Sequence, residues 1–421
     1  MPIRNDTATE GLDRGLHGAR LIVLVAALLT AQILDGMDVN ALAFVGPNVS
    51  RDLGLSRSLF GASVGVAFFG SAIGAVLFGA IADRIGRRRA LLIVVALFGV
   101  GSLTTAFVTS AAELIAVRAL TGMALGGLLP ISASILLERA PLSVRTTAVA
   151  IVTGGSAAGV VLAGAVTALL VPTFGWRSVF ILGGLAPLAI IPVLLVTIPP
   201  DQLKTREIAP GESRRPAVYE PRRPLLLRDG AWKLTLSLWV AMLLGAMPVF
   251  GIVSWLPSLV ASTGALPSHT ALVAVMFSIG GAVGGIVAGR LMDRMGFSMA
   301  LPLAICAAVA AAALGWTIES ASIVPLAAVA GFFIIGFLTM LTSVVGQFYS
   351  ADARGLATGS GLAATRIGAA LSPWIAGRLL DGGADIKFLF VSWAGAAIVS
   401  GLVFVSALRL RHDPKNRDLL S

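Results

Sequence analysis

The chain has 421 residues, of which 57% are hydrophobic and only 12% charged, with 48 glycines and a formal net charge of +10. An ordinary soluble domain carries about twice that charge density, so the composition excludes one and assigns the length to membrane spans. The basic balance does not point to nucleic acid, because the arginines are scattered between apolar runs, as a membrane-topology signal requires.

A polar tail, 1–19, with Arg4 and Arg14, opens the chain and is expected to be disordered. Apolar runs long enough to cross a bilayer then occupy 20–48, 58–82, 89–109, 111–138, 144–172, 176–198, 231–262, 269–292, 297–318, 321–349, 355–381 and 386–409. The first is too long and too acidic for a cleavable signal peptide. A Pro- and Arg-rich linker, 199–230, divides these runs into an N-terminal half, 20–198, and a C-terminal half, 231–409, followed by a short tail, 410–421. The fold expected is all-α, with twelve transmembrane helices in two six-helix halves. One side of the predicted bilayer collects Arg84, Arg87, Arg88, Arg89, Arg139, Arg145, the linker, Arg290, Arg294, Arg354 and the tail Arg409, Arg411, Lys415 and Arg417; the other has Arg51, Arg57, Arg177 and Lys387. By the positive-inside rule both termini and the linker are cytoplasmic, in a plasma (inner) membrane.

Asp35 and Asp38 lie inside the first run, where an ionised carboxylate costs several kcal/mol unless it faces a partner or a watery interior. With Gln32 one turn earlier they form a polar stripe at helical spacing. Arg118, in the fourth run, falls at the depth of Asp38. Such a pair is open to two readings, a permanent tie between helices or a bond that proton arrival breaks. Arg366 lies about 12 residues, or about 18 Å, into the eleventh run, where the C-terminal half offers no acidic residue. Its planar fork suits a substrate carboxylate, and pairing across to Asp35 or Asp38 is the alternative. Gln347 and Tyr349 are weaker candidates for substrate contact, and Trp255 and Trp374 read as ring-stacking or interfacial residues. His17, His269 and His412 fall in predicted loops or tails, which leaves Asp35 and Asp38 as the proton-carrying groups. Cys306 reads as a small buried apolar residue and can form no intramolecular disulfide. No metal site, cofactor or nucleophile–histidine arrangement is expected, which argues against an enzyme.

The segment 70–86, GSAIGAVLFGAIADRIG, aligns without a gap on 280–296, GGAVGGIVAGRLMDRMG, with Gly70, Gly74, Gly79, Asp83, Arg84 and Gly86 falling on Gly280, Gly284, Gly289, Asp293, Arg294 and Gly296. A repeated six-helix unit is the architecture of many secondary transporters. Gly79-Ala-Ile-Ala-Asp83-Arg84-Ile-Gly86-Arg87-Arg88-Arg89 resembles the loop signature of the major facilitator superfamily, and Gly289 to Gly296 its weaker echo. Asp35-Gly36-Met37-Asp38, Ser254-Trp255-Leu256-Pro257 and Gly175-Trp176-Arg177 resemble the aromatic acid:proton symporters of that superfamily.

The resemblance implies a proton-coupled importer of a small, hydroxybenzoate-like anion, working as a monomer by alternating access. It also implies that Asp83 faces the start of helix eleven, near Arg354, as a latch; pairing with Arg87 in solvent is the plainer reading. Arg84, Arg87, Glu138, Arg145, Asp293 and Arg354 belong with that gating layer. The competing functions are efflux of drugs or metabolites and import of another organic anion or a sugar. Helix five, Gly154-Gly155-Ser-Ala-Ala-Gly159, lacks the Gly-Pro step usual in exporters. Helix seven is almost wholly apolar from Leu234 to Val253, so it offers little to a ring hydroxyl.

Overall fold

The computed structural model describes residues 18–198, 231–320, 322–349 and 351–411. The tail with His17, the linker 199–230, and His412 with the end of the chain lie outside the described residues. Those described form twelve α-helices: α1 Ala19–Asp52, α2 Arg57–Ile85, α3 Arg87–Thr105, α4 Ala111–Arg139, α5 Arg145–Phe174, α6 Arg177–Thr197, α7 Ala231–Ser262, α8 Pro267–Met295, α9 Ala300–Thr317, α10 Ile323–Val344, α11 Ala351–Asp381 and α12 Ile386–Arg411. Ten stretches are long and apolar enough to cross a membrane. One of them, Ser268–Thr317, takes in both α8 and α9, joined by the short 3-10 turn Gly296–Met299. The helix outside those stretches is α11, which carries Arg354, Arg366 and Arg378. Large apolar side chains such as Val76, Leu120, Leu169 and Val196 stand exposed around the outside, the surface a protein presents to lipid tails. Cys306 belongs to this outward face and is exposed, against the expectation of a buried residue.

The internal repeat has a structural counterpart. In the first half α2 packs on α4, α1 on α5 and α3 on α6; in the second, α8 packs on α10, α7 on α11 and α9 on α12. The repeated glycines explain the first of these pairings. A Cβ at Gly70 or Gly74 would strike the α4 backbone at Ala119 and Met123, and one at Gly280 or Gly284 would strike the α10 backbone at Ala328 and Phe332. Small residues allow such backbone contact in lipid, where van der Waals packing must do what the hydrophobic effect does in water. Gly79, whose small size would serve the same close approach, and its counterpart Gly289 have open space beside them.

Among the described residues the close contacts named between the halves gather near one end. Here the arginine-rich end is the one carrying the α2–α3 turn, and the arginine-poor end the one carrying the α1–α2 loop. Near the arginine-poor end Gly61 of α2 lies against Pro373 of α11, Gly65 against Ala370, and Gly377 against Arg57. Ser258 of α7 donates to the Ala43 carbonyl of α1 at 3.2 Å. The Asp381 carboxylate accepts the Arg57 and Ser58 backbone N–H groups at 3.0 and 2.8 Å, and the Arg57 guanidinium donates to the Leu380 carbonyl at 3.1 Å. Asp381 thus satisfies orphan donors in the first turn of a helix belonging to the other half.

Trp255 closes the same region. It is buried, donates to the Pro373 carbonyl at 3.0 Å and packs edge to face on Phe60 at 5.3 Å, which excludes the role of a membrane-surface anchor. Trp374, by contrast, is exposed.

Candidate functional site

Asp38 is sealed inside the first half. Its Oδ2 accepts from the Arg118 guanidinium at 2.7 Å, and its Oδ1 accepts from Ser102 of α3, also at 2.7 Å. Both charged side chains are 1% exposed. A second guanidinium nitrogen lies 3.5 Å from the Asp38 carbonyl, and Gly183 of α6 closes the remaining side. Helices α1, α3, α4 and α6 thereby enclose one neutral pair. Removing one partner from such a pair strands a buried charge at a cost of about 3–5 kcal/mol.

Asp35, one turn earlier on α1, has a different setting. Its Oδ2 accepts from Gln32 Nε2 at 2.5 Å and lies 3.4 Å from the Ser156 hydroxyl, while Gln32 also donates to Ser156 at 2.8 Å. Contact between α1 and α5 is close enough for this because Gly36 and Gly159 remove the side chains between them. Asp35 remains partly exposed, and the group acting on it from across the gap is Arg366 of α11. Among the described residues Arg366 makes no hydrogen bond and no ion pair, although its charge and that of Asp35 act on each other. The first half therefore holds a carboxylate, and the second a guanidinium, each only partly buried and within electrostatic range of the other.

Other expected residues fall elsewhere. Gln347 is exposed on the turn before α11, while Arg366 is fifteen residues into that helix, about 22 Å along its axis. They do not share a site. Tyr349 is buried and exchanges a 2.9 Å hydrogen bond with Thr235 of α7. His269, expected in a loop, stands in the first turn of α8.

In the expected gating layer, Arg87 pairs with Glu138 at 2.6 Å and donates to the Ser134 carbonyl at 3.1 Å, tying α3 to the end of α4. This replaces the Asp83–Arg87 pair. Asp83 is exposed and without a partner among the described residues, so the latch to α11 is not formed here. Arg84, Asp293 and Arg354 are exposed, and Arg145 reaches the Ala140 carbonyl at 3.4 Å. The Trp176-Arg177 step pins α6 to the end of α1: Trp176 donates to Asp52 at 3.1 Å and Arg177 pairs with it at 2.5 Å.

Ser102 and Ser156 were not singled out from the sequence. Each is one of several hydroxyls on its helix, α3 also carrying Thr104 and Thr105 and α5 Thr153 and Thr167, and which of them matters depends on the neighbour the helix meets.

A repeated six-helix unit enclosing opposed charges defines a secondary transporter, and the comparisons agree. The sequence matches the Major Facilitator Superfamily over residues 28–338 and 259–420. The chain belongs to that superfamily; it is a membrane transporter, not an enzyme. It is 32% identical to a gallate transporter of Pseudomonas putida, over 96% of this chain and 95% of the other. It is 30% identical to the 4-hydroxybenzoate transporter PcaK of Pseudomonas aeruginosa, over 92% and 90%. It is also 30% identical to the 3-(3-hydroxy-phenyl)propionate transporter of Escherichia coli, over 92% and 94%. Among solved structures, the nucleoside transporter NupG superposes with a TM-score of 0.76 at 15% identity, over 93% of this chain and all of that one. A D-xylose–proton symporter gives 0.72 at 17%, over 93% and 97%.

Proposed function

We propose that the chain is a proton-coupled importer of a small aromatic carboxylate of the hydroxybenzoate type, working by alternating access. The observation that carries this reading is Arg366, a half-buried guanidinium without a partner among the described residues, facing Asp35 across the space between the halves. Its rigid fork matches a carboxylate in a way that no lysine does. The named substrates of the three relatives, 4-hydroxybenzoate, gallate and 3-(3-hydroxyphenyl)propionate, all combine that group with an aromatic ring.

Twelve spans, with the halves 20–198 and 231–409 and both termini and the linker in the cytoplasm, are part of the proposal, as is a monomer in the plasma membrane. Arginine-rich segments stay on the cytoplasmic side. On that orientation the conformation faces inward, since the named contacts between the halves lie at the arginine-poor end and the Asp83 latch at the other end is undone.

Asp35 is the proton carrier in this scheme. Gln32 offers both a donor and an acceptor, so it can hydrogen-bond a carboxylate or a carboxylic acid at Asp35 without moving the helix. An anion seated on Arg366 neutralises the charge that Asp35 faces, and a proton on Asp35 restores the balance before the gap closes. Asp38 and Arg118 stay paired throughout and fix α1 in the first half. Asp83 and the start of α11 form the latch of the outward-facing state.

The test is uptake of labelled 4-hydroxybenzoate, gallate and benzoate into proteoliposomes with and without an inward proton gradient. Accumulation of at least one acid that collapses with the gradient is expected. Failure of all three would overturn the proposed substrate class.

A further inference from the structure

The contact between the halves includes two rings. Phe68 of α2 and Phe250 of α7 meet edge to face, with centroids 4.9 Å apart and planes at 67°. The register of α2 on α11 sets their depth. Gly61 lies against Pro373 and Gly65 against Ala370, so the helices run antiparallel, and one more turn along both brings Phe68 to the level of Arg366. Phe68 is buried, whereas Phe250 is only partly so. Phe250 belongs to the second half and Phe68 to the first, so the pair spans the boundary between them. The rest of α7 down to Leu234 is apolar apart from Thr235 and Ser237, and Thr235 is engaged with Tyr349. Among the described residues Arg366 thus makes no bond, and Phe68 stands at its level, with few hydroxyls on α7.

We infer that Phe250, braced edge to face by the buried Phe68, holds the ring of the acid whose carboxylate Arg366 binds, and that the pair sets the preference for aromatic over saturated rings. This rests on the function proposed above. A ring has an electron-rich face and an electron-poor edge, so a ring seated against an edge-to-face pair gains an attraction that a saturated ring of the same size lacks, worth roughly 3- to 10-fold in affinity. Apolar burial alone holds both rings about equally well. The same pair lies at the inner limit of the contact between the halves, so a seated ring touches both halves at once.

Competition separates the two effects. Uptake of the labelled acid is measured in proteoliposomes of the full chain against unlabelled benzoate and unlabelled cyclohexanecarboxylate, which share a carboxylate and nearly share a size. Wild type should favour benzoate. In Phe250→Leu that preference should shrink roughly 3- to 10-fold while inhibition by cyclohexanecarboxylate stays as it was, and Phe250→Tyr, which keeps a ring, should retain the preference. Phe68→Leu should repeat the loss. An unchanged preference in folded Phe250→Leu, or a parallel weakening of both acids, would overturn the inference and leave the carboxylate reading standing. If wild type takes up no aromatic acid, the reading beneath it falls as well.

Discussion

Asp35 and Asp38 stand three residues apart on one helix and live in different surroundings. Three residues turn an α-helix by about 300°, leaving the two side chains about 60° apart. That is enough to aim Asp38 into the wedge between α3, α4 and α6, and Asp35 toward α5 and the gap. Asp38 has a bonded counter-charge and no opening; Asp35 has neutral partners and a counter-charge beyond bonding distance in the other half. A charge pair confined to one half cannot sense whether the halves have moved, whereas a pair split between them must. On the proposed mechanism the static pair builds the transporter and the divided pair operates it.

The largest effect expected from this contrast is at the sealed pair. Arg118→Gln strands the Asp38 carboxylate and should cost about 3–5 kcal/mol of stability. Thermal unfolding of the purified protein in detergent would show a large fall in Tm or loss of folded material. A variant as stable as wild type would mean that the pair holds nothing together. Next comes Arg366→Gln, which should leave Tm near wild type because no bond of Arg366 is broken, yet weaken carboxylate binding by about 3 kcal/mol, roughly 100-fold. Arg366→Lys keeps the charge without the fork and should lose about 10-fold. Binding affinities for the three proteins would show that order, and a lysine variant equal to wild type would contradict a forked contact.

Several of these features were legible in the sequence, and the reasons for the others are physical. Periodicity and length reveal the helices, and the glycine-rich repeat reveals the two halves, because backbone contact in lipid demands small residues at set places. The depths of Asp38 and Arg118 bring them together by helix arithmetic alone. That arithmetic cannot separate Asp35 from Asp38, since i and i+3 count as one face until the neighbours are known. Nor does it find Ser102 or Ser156, whose spacing matches no pattern. Gln347 was expected near the substrate, but it stands exposed on the turn before α11, well over three helical turns from Arg366. Asp83 illustrates a different limit: a transporter sequence encodes more than one conformation, and the latch proposed for the outward-facing one is absent from this one.

The smallest predicted effect concerns the closed end. Asp381 caps α2 from the opposite half, a contact available only while that end is shut. Asp381→Ala removes about 1 kcal/mol of capping and should shift the balance toward the state open at the arginine-poor end by about 5-fold. Spin labels placed across that end of the molecule would report a larger long-distance population. An unchanged distribution would show that the cap does not bias the equilibrium.

The central claim, that Asp35 rather than Asp38 carries the proton, is tested most directly by comparing gradient-driven accumulation with substrate exchange in Asp35→Asn. Exchange of labelled for unlabelled acid needs the site and the rocking of the halves but no net proton movement. The account predicts that Asp35→Asn proteoliposomes keep exchange and lose accumulation, and that their uptake no longer responds to the pH gradient. Wild-type accumulation in Asp35→Asn, or the same separation of exchange from accumulation in a folded Asp38→Asn protein, would contradict it.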